Sequence, residues 1–576
     1  MNDDPNIERN LILAFILSAL VFLIALPFMQ RRPASAPSSQ ATRPTATAPA
    51  PKAQPKPALA APTVSVGPTA PLAASREEEF WVTTPVFRLE FDNRGGVARA
   101  WILTQYTDNN RKPLDLVSPK FSEQHEYPLS FWTPDGSVTE KLNSALYTVT
   151  ETHPKPGLTS VAFDWSNGTL AAHKQLTFDR GYVVDVQASA SQNGQPIADA
   201  AIAWPGDFGD RTLPNHYSAQ ELFEDQGATL SVVSQKKVGN GQTTEGSYNF
   251  IGLEDLYFAV AFLPNSSGKQ RVTTFQTQFQ PSPSAKPVET IGVALNTGAQ
   301  NSFHLFVGPK RIDLLESINP RLRGLVDFGW FSFLADPIFA WMKWTYVHWI
   351  HNYGWVIVWI TFVIMMAMFP FRWNAQKTQI KMAAIQPKIK AINDKMKKFK
   401  MNDPRRQELQ KEQMRLFQEH GVNPMSGCLP MLVPLIVIWP FYKVLELAIE
   451  LRHAPWIGYL TDLSAKDPYY LLPILLVVAQ FVSMSLMPPT PGADPRQMRM
   501  MKWVMPAFLG YIFFFLPSGV NLYYLASTGI SVGQQVWINK HFGLTAGGHK
   551  IKGVAKAKSG SKPAAKPSGK AYQGTK

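Results

Sequence analysis

The sequence predicts a polytopic α-helical membrane protein of six spans, with one large β-sandwich domain between the first span and the other five. Six apolar runs of spanning length carry the helical part, over 11–28, 353–371, 428–447, 469–487, 500–516 and 518–538. Residues 77–325 contain no such run and alternate apolar with polar side chains instead. The composition agrees. With 45% hydrophobic residues, only 17% charged and a mean hydropathy of -0.11, the chain reads as part membrane protein and part water-exposed domain.

The elements follow in order. Residues 1–30 read as an N-terminal transmembrane anchor. A cleavable signal would begin basic and end on small residues; here Asp3, Asp4 and Glu8 outnumber Arg9, and the run closes on Pro27, Phe28 and Met29. Residues 31–76 are mostly Pro, Ala, Ser and Thr with few large apolar side chains, so they cannot bury a core and read as a linker. In the domain 77–325, Phe87, Leu89 and Phe91 point one way and Arg88 and Glu90 the other. Asp92-Asn93-Arg94-Gly95-Gly96 then turns the chain into a strand over 97–103, and like runs recur at 160–165, 182–188, 257–262 and 303–307. Short alternating strands over roughly 250 residues make a β-sandwich the simplest fold.

Residues 326–352 are crowded with Trp330, Phe331, Phe333, Phe339, Trp341, Trp344, Tyr346 and Trp349, the aromatic density of a helix lying at the membrane–water interface. The core 353–538 includes a hairpin of two helices over 373–427. Ile385, Ile389, Ile392, Met396 and Phe399 recur at steps of three and four, which is one apolar face. Asp403-Pro404 then caps a second helix over 405–420. From 372 to 415 thirteen Lys and Arg stand against four Asp and Glu, and the tail 539–576 has nine Lys and no acid. Both excesses mark the cytoplasmic side, which puts the two termini inside and the β-domain outside; Arg31 and Arg32, just past the first anchor, point the other way.

No arrangement for catalysis stands out. The sequence lacks a Walker loop, an HExxH zinc motif, a GxSxG elbow and any paired-cysteine metal pattern, so neither enzyme chemistry nor a cofactor or metal is expected. The one cysteine, Cys428, lies in an apolar run and has no partner for an internal disulfide. The last span is more informative. Asn521, Tyr524, Thr528, Ser531 and Gln535 fall at steps of three and four, a stripe covering roughly 21 Å of a hydrocarbon core about 30 Å thick. Two readings fit: hydrogen bonds to neighbouring helices, or the wall of a hydrated groove. Arg372 poses a similar choice. It follows an uncharged run, three turns from Thr361, and is either a snorkelling boundary residue or a charge lining such a groove.

Several stretches resemble the Oxa/Alb/YidC family of bacterial membrane-protein insertases in its Gram-negative form. They are Asn352-Tyr-Gly, Gln386-Pro-Lys-Ile, Val422-Asn-Pro-Met-Ser-Gly-Cys-Leu-Pro, Leu463-Ser-Ala-Lys-Asp-Pro-Tyr-Tyr and Phe515-Leu-Pro-Ser-Gly-Val-Asn-Leu-Tyr-Tyr, with Asp92-Asn-Arg-Gly-Gly and Val307-Gly-Pro-Lys in the outer domain. The resemblance covers nearly the whole chain. It implies a periplasmic β-supersandwich over 77–325 and a five-span insertase core in the inner membrane. That core would hold a hydrophilic groove open to cytoplasm and lipid and closed to the periplasm. The implied partners are nascent membrane proteins, the Sec translocon, membrane lipids, and the ribosome through the basic tail and hairpin, with no DNA and no nucleotide. Thr361, Tyr523 and Tyr524 fall where the family's substrate-contacting residues lie. Two positions depart from its pattern: Met365 stands where the family has a groove arginine, and Pro434 where a glutamine often lines the third span. Arg372 would then return the charge about 10 Å nearer the cytoplasm.

Two other readings compete with insertion. A transporter or channel calls for inverted repeats or intramembrane carboxylates, and the core presents neither. An envelope assembly factor would act through the β-domain instead.

Overall fold

The computed structural model describes residues 70–543 other than 214–218, 228, 266–267, 282–283, 285, 397, 400–402, 421–438 and 487–494. The expected anchor 1–30, nearly all of the linker, Cys428, Pro434, the start of the third expected span and the tail beyond 543 therefore lie outside the described residues. The chain divides into two compact units, Met1–Gly329 and Trp330–Lys576.

Three antiparallel sheets build the first unit. A four-stranded sheet joins Glu79–Thr83, Phe87–Asp92, Val97–Thr107 and Pro113–Asp115 in sequence order. A ten-stranded sheet runs from Thr229–Ser234 through Glu221–Gln226, Tyr248–Glu254, Phe258–Pro264, Gln300–Pro309, Val183–Gln192, Leu170–Phe178 and Leu158–Ser166 to Thr148–Lys155, with Gln195–Pro196 beside Val183–Gln192. The third sheet orders Gln242–Gly246, Gln270–Phe279, Val288–Asn296, Ala201–Trp204 and Ser130–Trp132. Alternation explains the core. Phe87, Leu89 and Phe91 are fully buried while Arg88 is exposed, and each such apolar side chain contributes about 1.5–3 kcal/mol on burial. Phe91 meets Phe163 and Phe87 meets Phe178 of the ten-stranded sheet, whereas Trp101 meets Trp204 of the five-stranded one.

The turn after Asp92 needs its glycines. Gly95 and Gly96 have φ of 73° and 57°, and a Cβ on Gly95 would lie 2.6 Å from the Asn143 carbonyl oxygen. Beneath the turn sits Lys174, only 1% exposed, whose Nζ donates to the carbonyls of Gly95, Gly96 and Leu129 at 2.7, 3.1 and 2.6 Å. Sequence reasoning had no place for this cation.

The second unit is helical. Its helices are α1 (Ser332–His348), α2 (Tyr353–Ala367), α3 (Phe369–Met396), α4 (Pro404–Glu419), α5 (Leu471–Leu486), α6 (Pro495–Phe513) and α7 (Ser518–His541), and residues 439–447 are also helical. On α1, Trp330 just before it and Phe333 within it are exposed, while Ala335, Ile338, Phe339 and Met342 are buried. α4 begins as expected: Asp403 accepts from the Arg405 amide at 2.9 Å, with Pro404 in the first turn. Ile385 and Ile389 of α3 pack on Phe417 of α4, which closes the hairpin.

The straight span expected over 353–371 is instead two helices. α2 and the first part of α3, Phe369–Thr378, meet at 47°. The cause lies in the sequence: Pro370 has no N–H to give to the preceding turn, so the ladder breaks there. Among the described residues no single helix is long and apolar enough to cross a membrane; this bent pair passes the test together, and α5 is a shorter apolar helix.

Candidate functional site

The site is built on α7, which packs against α2 and α5 and touches α3. Its start is tied down by two of the sequence motifs. The Ser518 amide and hydroxyl both donate to the Ala465 carbonyl, at 2.7 and 2.8 Å, and the Gly519 amide donates to Leu463 at 2.8 Å. Asp467 accepts from the Leu472 amide at 2.7 Å and the Tyr459 hydroxyl at 3.2 Å, anchoring the start of α5. Asn352 caps α2 by accepting from the Trp355 amide and reaches back to the Pro455 and Trp456 carbonyls at 3.1 and 3.2 Å. Gly354 makes room for the Trp456 ring, 2.2 Å from where a Cβ would stand. These motifs are joints: they hold three helix starts on the 454–467 loop.

The polar stripe of α7 makes polar contacts with other elements at its two ends. Asn521 is fully buried and its Nδ2 donates to the carbonyls of Phe513 and Leu516 at 3.1 and 3.3 Å. The first is the last carbonyl of α6 and the second lies in the turn that leads from α6 to α7. Gln535 donates to Asn539 at 3.0 Å and to Gln376 of α3 at 3.4 Å, and Asn539 donates to the Leu486 carbonyl at 3.0 Å. Thr528 is buried, while Tyr524 and Ser531 are half-buried; the Tyr524 ring lies 4.7 Å from Phe513. Tyr523 is buried against Phe441, rings stacked at 4.3 Å. Of the two readings of the stripe, interhelical bonding accounts for Asn521 and Gln535.

Two further residues of α7, Ser527 and Gln534 in the row of Tyr523, escaped the sequence reading. Ser527 and Gln534 are seven residues apart, two turns, and that spacing was the signal available. Both are buried and both meet Met365: the Ser527 hydroxyl is 4.0 Å from its sulfur, and the Gln534 Nε2 donates to its carbonyl at 3.0 Å. The Gln534 Oε1 accepts from Arg372 Nη1 at 2.8 Å. One amide therefore spans the bend between α2 and α3. Thr361 is buried and its hydroxyl donates to the Ile357 carbonyl at 2.6 Å. Because of the 47° bend, the straight-helix count that aligns Thr361 with Arg372 does not apply; what Gln534 joins across the bend is Met365 and Arg372. Pro434 lies outside the described residues.

No metal cluster of three or more His, Cys, Asp or Glu occurs among the described residues. The chemistry on offer is one guanidinium, several amides and hydroxyls, and aromatic rings, all within a helical bundle. Such a set can hydrate and guide a polar segment between helices.

The YidC periplasmic domain model matches residues 79–341, and the model of the 60Kd inner membrane protein matches 344–544. The membrane protein insertase YidC of Bordetella parapertussis is 30% identical over 486 residues, covering 81% of this chain and 84% of that protein. That of Syntrophus aciditrophicus is 31% identical over 489 residues, covering 81% and 85%. Among solved structures, an active YidC insertase crystal structure with its first transmembrane domain resolved is 18% identical, covers 81% of this chain and 94% of that one, and has a TM-score of 0.34. With its β-rich unit matching the periplasmic domain and its helical unit the inner-membrane part, the chain belongs to the YidC family of membrane protein insertases.

Proposed function

We propose that this chain inserts inner-membrane proteins by lowering the barrier for the short hydrophilic segment that must cross ahead of, or between, apolar helices. The segment enters a groove beside α2 and α7 that opens to cytoplasm and lipid, while the apolar helix leaves sideways into the bilayer. The groove residues are Thr361, Met365, Arg372, Pro434, Tyr523, Tyr524, Thr528 and Ser531, with Asn521 and Gln535 of the same stripe holding its two ends to neighbouring helices. Six spans, cytoplasmic termini and a periplasmic β-domain complete the reading. Its partners are nascent membrane proteins, lipids, the ribosome and, for some substrates, the Sec translocon.

The observation that carries this reading is the guanidinium of Arg372, half-buried at the α2–α3 bend and bonded to a buried amide of α7. Energetics favour a passive device. About 20 apolar residues contribute roughly −6 to −12 kcal/mol on the insertion scale, against about +2.5 to +3.5 kcal/mol for each charge at mid-membrane. The substrate helix supplies the driving force, so no nucleotide is required. The test is reconstitution of the pure protein in liposomes with a small two-span substrate whose loop is protected from protease only after insertion. Insertion no faster than in empty liposomes would overturn the reading. Deleting residues 78–320 separates the rival: an assembly factor acting through the β-domain would lose insertion, whereas the groove would keep it.

A further inference from the structure

Gln534 touches both sides of the break in the second span. The last carbonyls of α2 have no partner further along their own helix, and Pro370 brings no N–H to the turn that follows. Gln534 Nε2 donates to one of those last carbonyls, that of Met365, at 3.0 Å. Its Oε1 then faces Arg372 Nη1 at 2.8 Å. The side chain is 6% exposed, so the planar amide is spent on these two partners and fixes the guanidinium relative to the Met365 carbonyl. Among the described residues Gln534 is the one side-chain or backbone acceptor of that guanidinium, and a guanidinium has five N–H donors.

We propose that Gln534 is a positioning residue: it sets the depth and direction of the Arg372 charge, and through it the protein's preference for substrates with an acidic hydrophilic segment. This rests on the reading of Arg372 as the charge of the groove. The residue type matters. A neutral amide donates to Met365, orients the guanidinium and leaves its full charge available, whereas a carboxylate of the same shape accepts from the guanidinium but cannot donate to Met365, and it cancels that charge. A plain packing role would not distinguish the two.

The experiment uses the full chain in liposomes and two forms of one two-span substrate, with an acidic loop or with the same loop carrying Asn and Gln. The readout is the ratio of acidic-loop to neutral-loop insertion, which a general loss of folding does not move. Arg372→Ala, Gln534→Leu and Gln534→Glu are each expected to lower that ratio by about tenfold, the effect of losing one hydrogen bond to a charged group. Arg372→Ala combined with Gln534→Leu is expected to match Arg372→Ala alone, because the second residue acts through the first. The inference is overturned if Gln534→Glu keeps the wild-type ratio, if Gln534→Leu lowers both substrates equally, or if the double variant multiplies the two effects. If Arg372→Ala itself leaves the ratio unmoved, the reading of Arg372 fails and the inference with it. A selective Arg372→Ala beside inert Gln534 variants removes the inference alone.

Discussion

Lys174, in the middle of the strand Leu170–Phe178, donates to the carbonyl of Gly95 across 2.7 Å and 79 residues of chain. The same ammonium holds Gly96 and Leu129 and lies 4.6 Å from the centre of the Phe131 ring. It is a pin under the Asp92–Gly96 turn. Lys174→Met keeps the stem and its packing but strands three buried carbonyls, at about 1–3 kcal/mol each. The expected result is a β-unit destabilised by roughly 3 kcal/mol or more, read by calorimetry of the purified protein. A change within about 0.5 kcal/mol, the usual size at uninvolved surface positions, would mean the pin is idle.

The β-unit should also carry a characteristic pH profile. Burial pushes Lys174 from 10.5 down to about 7, with Glu126 opposing. Between those values the unfolded chain binds the proton that the folded one has released, so stability rises as pH climbs from about 7 toward 10.5. Asp255 runs the other way: burial raises it from 3.8 to about 6, against the Asp210, Phe258 and Tyr257 amides and Lys310. Its contribution is full below 3.8 and is lost as pH rises through about 6. A plot of unfolding temperature against pH should therefore dip between these two limbs. Lys174→Met should flatten the alkaline limb and Asp255→Asn the acidic one; a monotonic profile unaffected by either change would refute the assignment.

Asn521 closes the end of α6 with two hydrogen bonds from one buried amide. Asn521→Leu keeps the number and branching of side-chain heavy atoms and offers neither bond. It should cost about 1–3 kcal/mol in detergent unfolding and raise amide exchange at the α6–α7 corner before anywhere else in the helical unit. If exchange there stays unchanged, the two bonds are not what holds the corner.

The parts of this architecture that were legible in the sequence share one property: a single periodicity decides them. Phe87, Leu89 and Phe91 alternate and are buried; Ile385 and Ile389 recur at helical spacing and pack on Phe417. Lys174 was legible in principle, since it shares the inward parity of Ala172, Leu176 and Phe178, but a lone lysine in a strand reads as solvated until three carbonyls are seen to converge on it. The bend at Met368 was hidden because hydropathy runs unbroken across Pro370. Gln534 was hidden for a different reason. Its value comes from two partners on either side of that bend, and no count along α7 alone can bring Met365 and Arg372 together.

The tail beyond 543 lies outside the described residues, and its prediction rests on composition. Nine lysines without an acid from 539 to 576 suit rRNA phosphates. Co-sedimentation with non-translating ribosomes should weaken steeply with salt and drop on removal of 545–576. Equal, salt-insensitive binding by both forms would leave the tail as a topology signal.

Positions 365 and 372 are two places where the proposed groove could carry its charge. Met365 is 5% exposed, faces Ser527, and shares Gln534 with Arg372. An arginine at 365 would stand on the α7 side of α2 and, in the proposed topology, deeper in the membrane than Arg372, at a cost of about 2.5–3.5 kcal/mol if held at the helix centre. That cost falls if the groove is hydrated, because water reaches the guanidinium. Arg372→Ala should slow insertion of acidic-loop substrates in liposomes. Met365→Arg placed in the same chain should recover much of the loss, since the charge returns on the same side of the bend. Recovery would mean that the groove tolerates its cation at either depth. A folded but inactive double variant would tie function to the lower position, where Gln534 can hold the side chain. An Arg372→Ala protein that inserts acidic and neutral loops at wild-type rates would make Arg372 a boundary anchor and leave this groove working without a charge of its own.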